Sequence, residues 1–145
     1  MRALLDVNVL VALLDGSHIH HGTVTDWLVS HIDAGWSACP ITQNGCIRIL
    51  SQAAYPNSIP AAQVAERLAE ATQHPAYQFW PDSISLLHPG CLLWGSVLSS
   101  RYVTDLYLLA LAVQQGGRFV TLDRGIPLNA VAGAQPKHLV VIQST

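Results

Sequence analysis

The chain has 145 residues, of which 50% are hydrophobic and only 11% are charged, and its formal net charge is −2. This length suits one domain, and so apolar a composition excludes an intrinsically disordered chain. The slightly negative charge excludes an overall basic field, so any contact with nucleic acid must come from local groups or from a bound metal ion.

The cysteines, Cys39, Cys46 and Cys91, do not have the spacing of a zinc site. We therefore interpret them as reduced residues of the core, which is typical of a cytoplasmic protein. We do not expect the apolar start of the chain to be a secretory signal, because Asp6 and Asn8 interrupt it. No segment has the length and the apolar content of a membrane span, so we expect no contact with a membrane.

Short apolar runs alternate with helical patterns along the chain, from the first residues to the last. In the first half the predicted elements are a strand over 2–7, helices over 7–14 and 18–33, a strand over 36–39, and helices over 41–52 and 60–73. In the second half they are a strand over 77–80, a helix over 90–100, a helix that begins at a Thr104 cap, and strands over 118–122 and 139–142. The alternation predicts the α/β class: a three-layer α/β/α sandwich with a short, mostly parallel central sheet, formed by one domain over 1–145.

Three of the few acidic residues lie where such a sheet would bring them together. Asp6 ends the first strand, Asp123 ends the fourth, and Asp105 lies in the first turn of the clearest helix. In a parallel sheet, the carboxyl ends of strands and the amino ends of helices share one edge, where such folds bind ligands. Three carboxylates there would repel one another unless a cation neutralised them, and oxygen ligands alone favour Mg²⁺ or Mn²⁺ over zinc.

Each aspartate also has an interpretation that needs no metal. Asp105 could interact with the dipole of its own helix, Asp123 could belong to a turn or cap the next helix, and Asp6 could cap the helix that follows it. Of the three, Asp6 is the hardest to explain in this way, because a carboxylate inside an apolar run is costly without a partner.

Several short motifs follow one another along nearly the whole chain. They are DVNVL at 6–10, TQNG at 42–45, RIL at 48–50, TDLYLLA at 104–110 and TLDRG at 121–125. Their order and spacing resemble the successive signatures of PIN domains, and in particular of the VapC-type toxin ribonucleases of bacterial toxin–antitoxin pairs.

The resemblance implies a Mg²⁺-dependent endoribonuclease that acts as a toxin on RNA and is inhibited by a cognate antitoxin protein. By position, Asp6 and Asp105 would be the main metal ligands and Asp123 would complete the acidic pocket. Asn8 and Thr121 would support them as polar neighbours. We also expect a homodimer.

One position departs from the family pattern, which usually has glutamate where this chain has Gln43. The amide of Gln43 keeps an oxygen acceptor but not the charge. We therefore expect Gln43 to take part in the site through a metal-bound water, and the site to hold one Mg²⁺ with reduced affinity rather than a pair of ions.

Two arginines are candidates for contacting the phosphate of the substrate. Arg48 follows Gln43 on the same predicted helix, and Arg124 adjoins Asp123. Either could instead be solvated or form a salt bridge. Arg101 and Arg118 are less favoured.

Two other functions remain to be separated from RNA cleavage. One is a PIN domain that binds RNA or an antitoxin without efficient cleavage, which the loss of an acid at Gln43 makes a real alternative. The other is a phosphatase with an aspartate nucleophile. The phosphatase is disfavoured because Asn8 stands where a second aspartate is needed and Lys137 is the only lysine.

Overall fold

A five-stranded sheet forms the centre of the computed structural model, which describes residues 1–143. The strands are β1 (Ala3–Leu5), β2 (Trp36–Ala38), β3 (Tyr77–Phe79), β4 (Arg118–Thr121) and β5 (Leu139–Val141). Their order across the sheet is β3-β2-β1-β4-β5, and each neighbouring pair is parallel. The predicted α/β class is confirmed, and the sheet is parallel throughout.

In the described residues, five α-helices connect and cover the strands. They are α1 (Val7–Leu14), α2 (His21–His31), α3 (Pro40–Leu50), α4 (Ala61–Ala71) and α5 (Val103–Gln114). The second helix begins later than predicted, because the backbone N–H of His21 bonds to the carbonyl of His18 in a turn before the helix. In the described part of the chain, none of these helices has the length and the apolar character needed to cross a membrane.

The side chains of the central strands alternate between two cores, one on each face of the sheet. In β1, Ala3 and Leu5 belong to the core that includes residues of α1 to α4, whereas Leu4 belongs to the core that includes α5. The same alternation in β4 divides Val120 from Phe119. The sheet is therefore the middle of three layers, as predicted.

The helix that carries Asp105 is buried over most of its surface, with Leu106 to Ala112 all buried. Thr104 is not its cap, as the sequence suggested. A 3₁₀ turn at Ser100–Tyr102 leads directly into Val103, and the hydroxyl of Ser99 accepts from the backbone N–H of Arg101. Helical backbone therefore starts at Ser100, and this extension places Arg101 one turn before Asp105.

The prediction of a helix over 90–100 is wrong. In its place the chain has a turn at Gly90, an isolated bridge at Leu92 and a 3₁₀ turn at Trp94–Ser96, joined by irregular segments. The backbone groups that a helix would have used internally bond instead to the segment after β4: the N–H of Leu93 bonds to the carbonyl of Ala130 at 2.8 Å. Leu92 and Val131 form the corresponding antiparallel bridge. Tertiary pairing thus overrides the weak helical pattern of a stretch that also contains Gly90 and Gly95.

Candidate metal centre

Three aspartates meet at the carboxyl-end edge of the sheet. Asp6 directly follows β1, Asp123 follows β4, and Asp105 lies in the first turn of α5. Each offers a carboxylate oxygen, and these oxygens all lie within 4.8 Å of one another. The parallel topology explains the meeting, because it brings two strand ends and one helix start to the same edge.

Asp6 is the buried member of the group, with 5% of its surface exposed. It caps α1, since its Oδ1 accepts from the backbone N–H of Val7 at 2.7 Å, and its Oδ2 accepts from the hydroxyl of Thr121 at 2.6 Å. Burial raises the pKa of Asp6 to about 6; the hydrogen bonds oppose this rise and the nearby charge of Asp123 adds to it. The fold therefore fixes the orientation of this carboxylate while disfavouring its charge.

Thr121 and Asn8 connect the aspartates at the two strand ends. Thr121 Oγ1 donates to Asp6 and accepts from the backbone N–H of Asp123 at 3.0 Å. The amide of Asn8 donates to Thr121 Oγ1 at 3.4 Å, and its Oδ1 accepts from the backbone N–H of Leu122 at 3.2 Å. Asn8 and Thr121 therefore link the segment that follows β1, with Asp6, to the segment that follows β4, with Asp123.

Asp105 is partly buried, and its pKa is raised to about 7. Burial is the largest cause, and the charges of Asp6 and Asp123 raise the pKa further, whereas the charge of Arg101 lowers it. Two carboxylates with raised pKa values beside a third, exposed one indicate concentrated negative charge that an added cation would relieve.

The cluster has the donor set of a site for a hard divalent cation. Its members are carboxylates only, and their oxygens are close enough to share one ion. Histidine and cysteine are absent from this cluster, which makes a zinc site a poor match. The residues therefore fit Mg²⁺ or Mn²⁺, with Asp6 already oriented by the fold.

Gln43 lies on α3, and its side chain contacts another part of the fold. The amide Nε2 donates to the hydroxyl of Tyr77 at 3.3 Å, which links α3 to β3. In this arrangement Gln43 supports the neighbouring layer, and the three aspartates supply the charge of the cluster.

The arginines occupy different positions around the cluster. Arg48 and Arg124, the two favoured by the sequence, are both exposed. Arg101, which the sequence disfavoured, is the cation whose charge acts on Asp105, and its guanidinium carbon lies 5.0 Å from the centre of the Tyr102 ring. The spacing of four residues between Arg101 and Asp105 is the signal that could have identified it, because residues four apart share one face of a helix. That signal was hidden by placing the start of the helix at Thr104.

No family model matches the chain. Its sequence is nevertheless similar to those of ribonucleases from Mycobacterium tuberculosis. It is 46% identical to ribonuclease VapC44 over 142 residues, which covers 98% of this chain and 100% of the relative. It is 39% identical to ribonuclease VapC39 over 135 residues, which covers 92% of this chain and 96% of the relative.

Two solved structures have a similar fold. The crystal structure of Mycobacterium tuberculosis VapC20, described as a sarcin-ricin loop cleaving toxin, covers 80% of this chain and 85% of its own, with a TM-score of 0.57 and 12% identity. The match to VapBC2 from Rickettsia felis, bound to a DNA fragment from their promoter, covers 91% of this chain and 97% of the solved chain, with a TM-score of 0.57 and 14% identity. At such low identity these structures show the fold alone. The sequence relatives extend over almost the whole chain, and the chain therefore belongs to the VapC family of PIN-domain toxin ribonucleases.

Proposed function

We propose that this protein is a Mg²⁺-dependent endoribonuclease that hydrolyses RNA phosphodiester bonds as the toxin of a toxin–antitoxin pair. The observation that carries the proposal is the cluster of Asp6, Asp105 and Asp123 at the carboxyl-end edge of the sheet, in a chain of this family. Mn²⁺ has the same preference for oxygen ligands and would substitute for Mg²⁺.

In this proposal the three aspartates hold the ion and Thr121 keeps Asp6 in place. A bound divalent cation supplies electrostatic stabilisation of the charge that develops on the phosphate oxygens. Asp6 has one oxygen engaged by Val7 and the other by Thr121, so its orientation does not have to be set when substrate binds. Asp123 is the exposed member of the cluster, so its carboxylate is open to solvent and to an approaching RNA chain.

The charge of the cluster supports a site for one ion rather than two. The position usually occupied by glutamate is the neutral Gln43, whose amide already donates to Tyr77. Three carboxylates provide fewer charged oxygens than the paired-ion sites of other nucleases use. We therefore propose a single ion, bound with reduced affinity.

Arginines near the cluster are proposed to bind the phosphates of the RNA chain. Arg48 and Arg124 are exposed, and Arg101 lies one helical turn before Asp105. Guanidinium groups bind phosphate through paired hydrogen bonds, which compensates locally for the net negative charge of the protein.

The proposed partners are RNA, a cognate antitoxin and a second copy of the chain, within the cytoplasm. The structure of VapBC2 from Rickettsia felis, bound to a DNA fragment from their promoter, has a similar fold and supports an antitoxin partner here. Leu93, Trp94 and Leu98 are 50%, 52% and 89% exposed, and such neighbouring apolar side chains favour a protein–protein interface. We also propose that the whole chain, 1–145, forms one nuclease domain.

The proposal is tested by incubating structured RNA with the protein in Mg²⁺ and mapping the cut ends. We expect cleavage by the wild type, none in excess chelator, and none by Asp6→Ala at the same protein concentration. Asp33→Ala is the matched control, since Asp33 lies in an exposed turn before β2, at the other edge of the sheet, and should cleave like the wild type. Cleavage that survives Asp6→Ala would contradict the proposed site.

A second candidate is a protein that binds RNA or an antitoxin without efficient cleavage. The observation that favours it is Gln43, which is neutral and hydrogen-bonded to Tyr77. It predicts RNA binding without cut ends in both Mg²⁺ and Mn²⁺, and it would be supported if Gln43→Glu alone produced cleavage.

A further inference from the structure

A groove of about 380 Å³ lies directly beside the acidic cluster. Val7 and Thr104 line it, and these residues adjoin Asp6 and Asp105 in the chain. Its volume falls in the range of about 300–1,000 Å³ that is typical of small-molecule sites. A chain of RNA whose phosphate lies at the aspartates would have room to place a neighbouring nucleotide in this groove.

One wall of the groove is a face of α3, and close packing holds that wall against α1. A Cβ added to Gly45 would lie 2.6 Å from a methyl carbon of Val7, so only glycine permits this approach. Asn44 and Arg48 are four residues apart on α3, and both are exposed and line the groove. The amide of Asn44 and the guanidinium of Arg48 therefore line the groove from α3, which packs closely against Val7, the residue after Asp6.

Asp82 also lines the groove, from a segment of the chain outside α3. It follows β3 and Trp80 and lines the same groove as Asn44 and Arg48. The Asp82 side chain also lies near the end of β2. There burial raises the pKa of the Cys39 thiol, and the charge of Asp82 adds to this rise. Asp82 is exposed, so its carboxylate is open to solvent at this groove.

We propose that this groove binds the base of a nucleotide next to the cleaved phosphate and that Asp82 selects guanine there. The inference rests on the proposed ribonuclease function. An ionised carboxylate only accepts hydrogen bonds. Guanine is the base that presents two adjacent donors, N1–H and N2–H, on its Watson–Crick edge, which proteins read in single-stranded RNA. Asn44 has an amide N–H to donate to O6, and Arg48 binds the adjoining phosphate.

The test uses a pool of RNA with random sequence, cleaved by the wild type, Asp82→Asn and the control Asp33→Asn, with the cut ends sequenced. Asp33 is also exposed, but it lies before β2 at the other edge of the sheet. We expect the wild type to prefer guanine at one position next to the cut. In Asp82→Asn this preference should fall by about five- to a hundredfold, the discrimination that a bidentate contact to a base supplies. Asp33→Asn should keep it.

Binding of the four ribonucleoside monophosphates, followed by amide chemical shifts, tests the groove without cleavage. Guanosine monophosphate should bind most tightly, shift the amides of Asn44 and Gly45, and lose its advantage in Asp82→Asn. The proposal is overturned if the wild type shows no guanine preference, or if Asp82→Asn retains it. It is also overturned if Asp33→Asn loses the preference equally, because the cause would then be general charge. If the wild type cleaves no RNA, the ribonuclease function fails, and the binding result alone decides the groove.

Discussion

Asp6 and Asp105 place carboxylate oxygens within 4.8 Å of each other, and burial raises the pKa of each, but the groups that oppose this rise differ. At Asp6, hydrogen bonds from Thr121 and Val7 favour the charged form and fix the carboxylate. At Asp105, the opposing contribution comes from the charge of Arg101, an exposed side chain one turn away. One carboxylate is therefore oriented by hydrogen bonds within the fold, whereas the charge of the other depends on the charged groups around it.

The comparison is tested most strongly by replacing each aspartate with asparagine. Both Asp6→Asn and Asp105→Asn should lower the rate of RNA cleavage by on the order of 10²–10³-fold, as removal of a preorganised electrostatic group does. Their stabilities without divalent cations should differ. Asp105→Asn removes a charge that folding disfavours, so above pH 7 its free energy of unfolding should rise by roughly 1 kcal/mol after allowance for solvent screening.

The sign of this effect follows from the pKa of Asp105, which is about 7 in the folded protein, whereas an ordinary aspartate has a pKa of 3.8. Folding favours the protonated form, so the stability that this form contributes is present at acidic pH and is lost as pH rises to about 7. The gain of Asp105→Asn should therefore be absent near pH 4 in thermal unfolding. Asp6→Asn should gain less stability. Its new NH₂ group would face Thr121 Oγ1, which already accepts a hydrogen bond from the backbone N–H of Asp123. An equal gain for both variants would remove the distinction drawn here.

The next effect concerns the hydroxyl that holds Asp6. Thr121→Val removes the donor to Asp6 Oδ2, so the pKa of Asp6 should rise further and the cleavage rate should fall by about 10–100-fold, as for other residues that orient metal ligands. Thr121→Ser keeps the hydroxyl and should retain most of the activity. Initial rates would be measured from pH 5.5 to 8. In Thr121→Val the activity lost on acidification should disappear at a higher pH than in the wild type. Activity that is lost in Thr121→Ser but kept in Thr121→Val would show that the methyl packing of Thr121 matters rather than its hydrogen bond.

The smallest effect is expected at Gln43. Gln43→Glu adds a charge at the position where the family usually has an acid, and we expect the affinity for Mg²⁺ to rise by about tenfold or less. The glutamate would also lose the donation to Tyr77, which partly offsets the gain. Calorimetric titration with Mg²⁺ measures the change. Equal affinities would show that a side chain at this position does not reach the ion.

The fold and the acidic cluster were largely predictable from the sequence, for a physical reason. Apolar strands such as that around Leu4 are recognisable in the sequence because both faces of the sheet are covered, which makes each strand a continuous apolar run. A parallel sheet also brings Asp6 and Asp123 to one edge. The alternation of helices and strands then places the helix of Asp105 at the same edge.

Other features depended on tertiary contacts that local patterns do not carry. The stretch from Gly90 has a weak helical pattern, but its backbone pairs with residues near Ala130, far along the chain. The contact of Gln43 with Tyr77 depends on which helix covers β3. The influence of Arg101 on Asp105 required knowing that helical backbone begins at Ser100.

The central claim, that the three aspartates hold a divalent cation, is tested most directly by measuring Mn²⁺ binding with and without competing Mg²⁺. The wild type and Asp105→Asn would be compared between pH 5.5 and 7.5. Because the pKa values of Asp6 and Asp105 are raised to about 6 and about 7, protons compete with the ion. We predict one bound Mn²⁺ that Mg²⁺ displaces, with an affinity that falls by roughly tenfold or more from pH 7.5 to 5.5, and a large loss of binding in Asp105→Asn. Binding that is independent of pH and unchanged in Asp105→Asn would contradict the account.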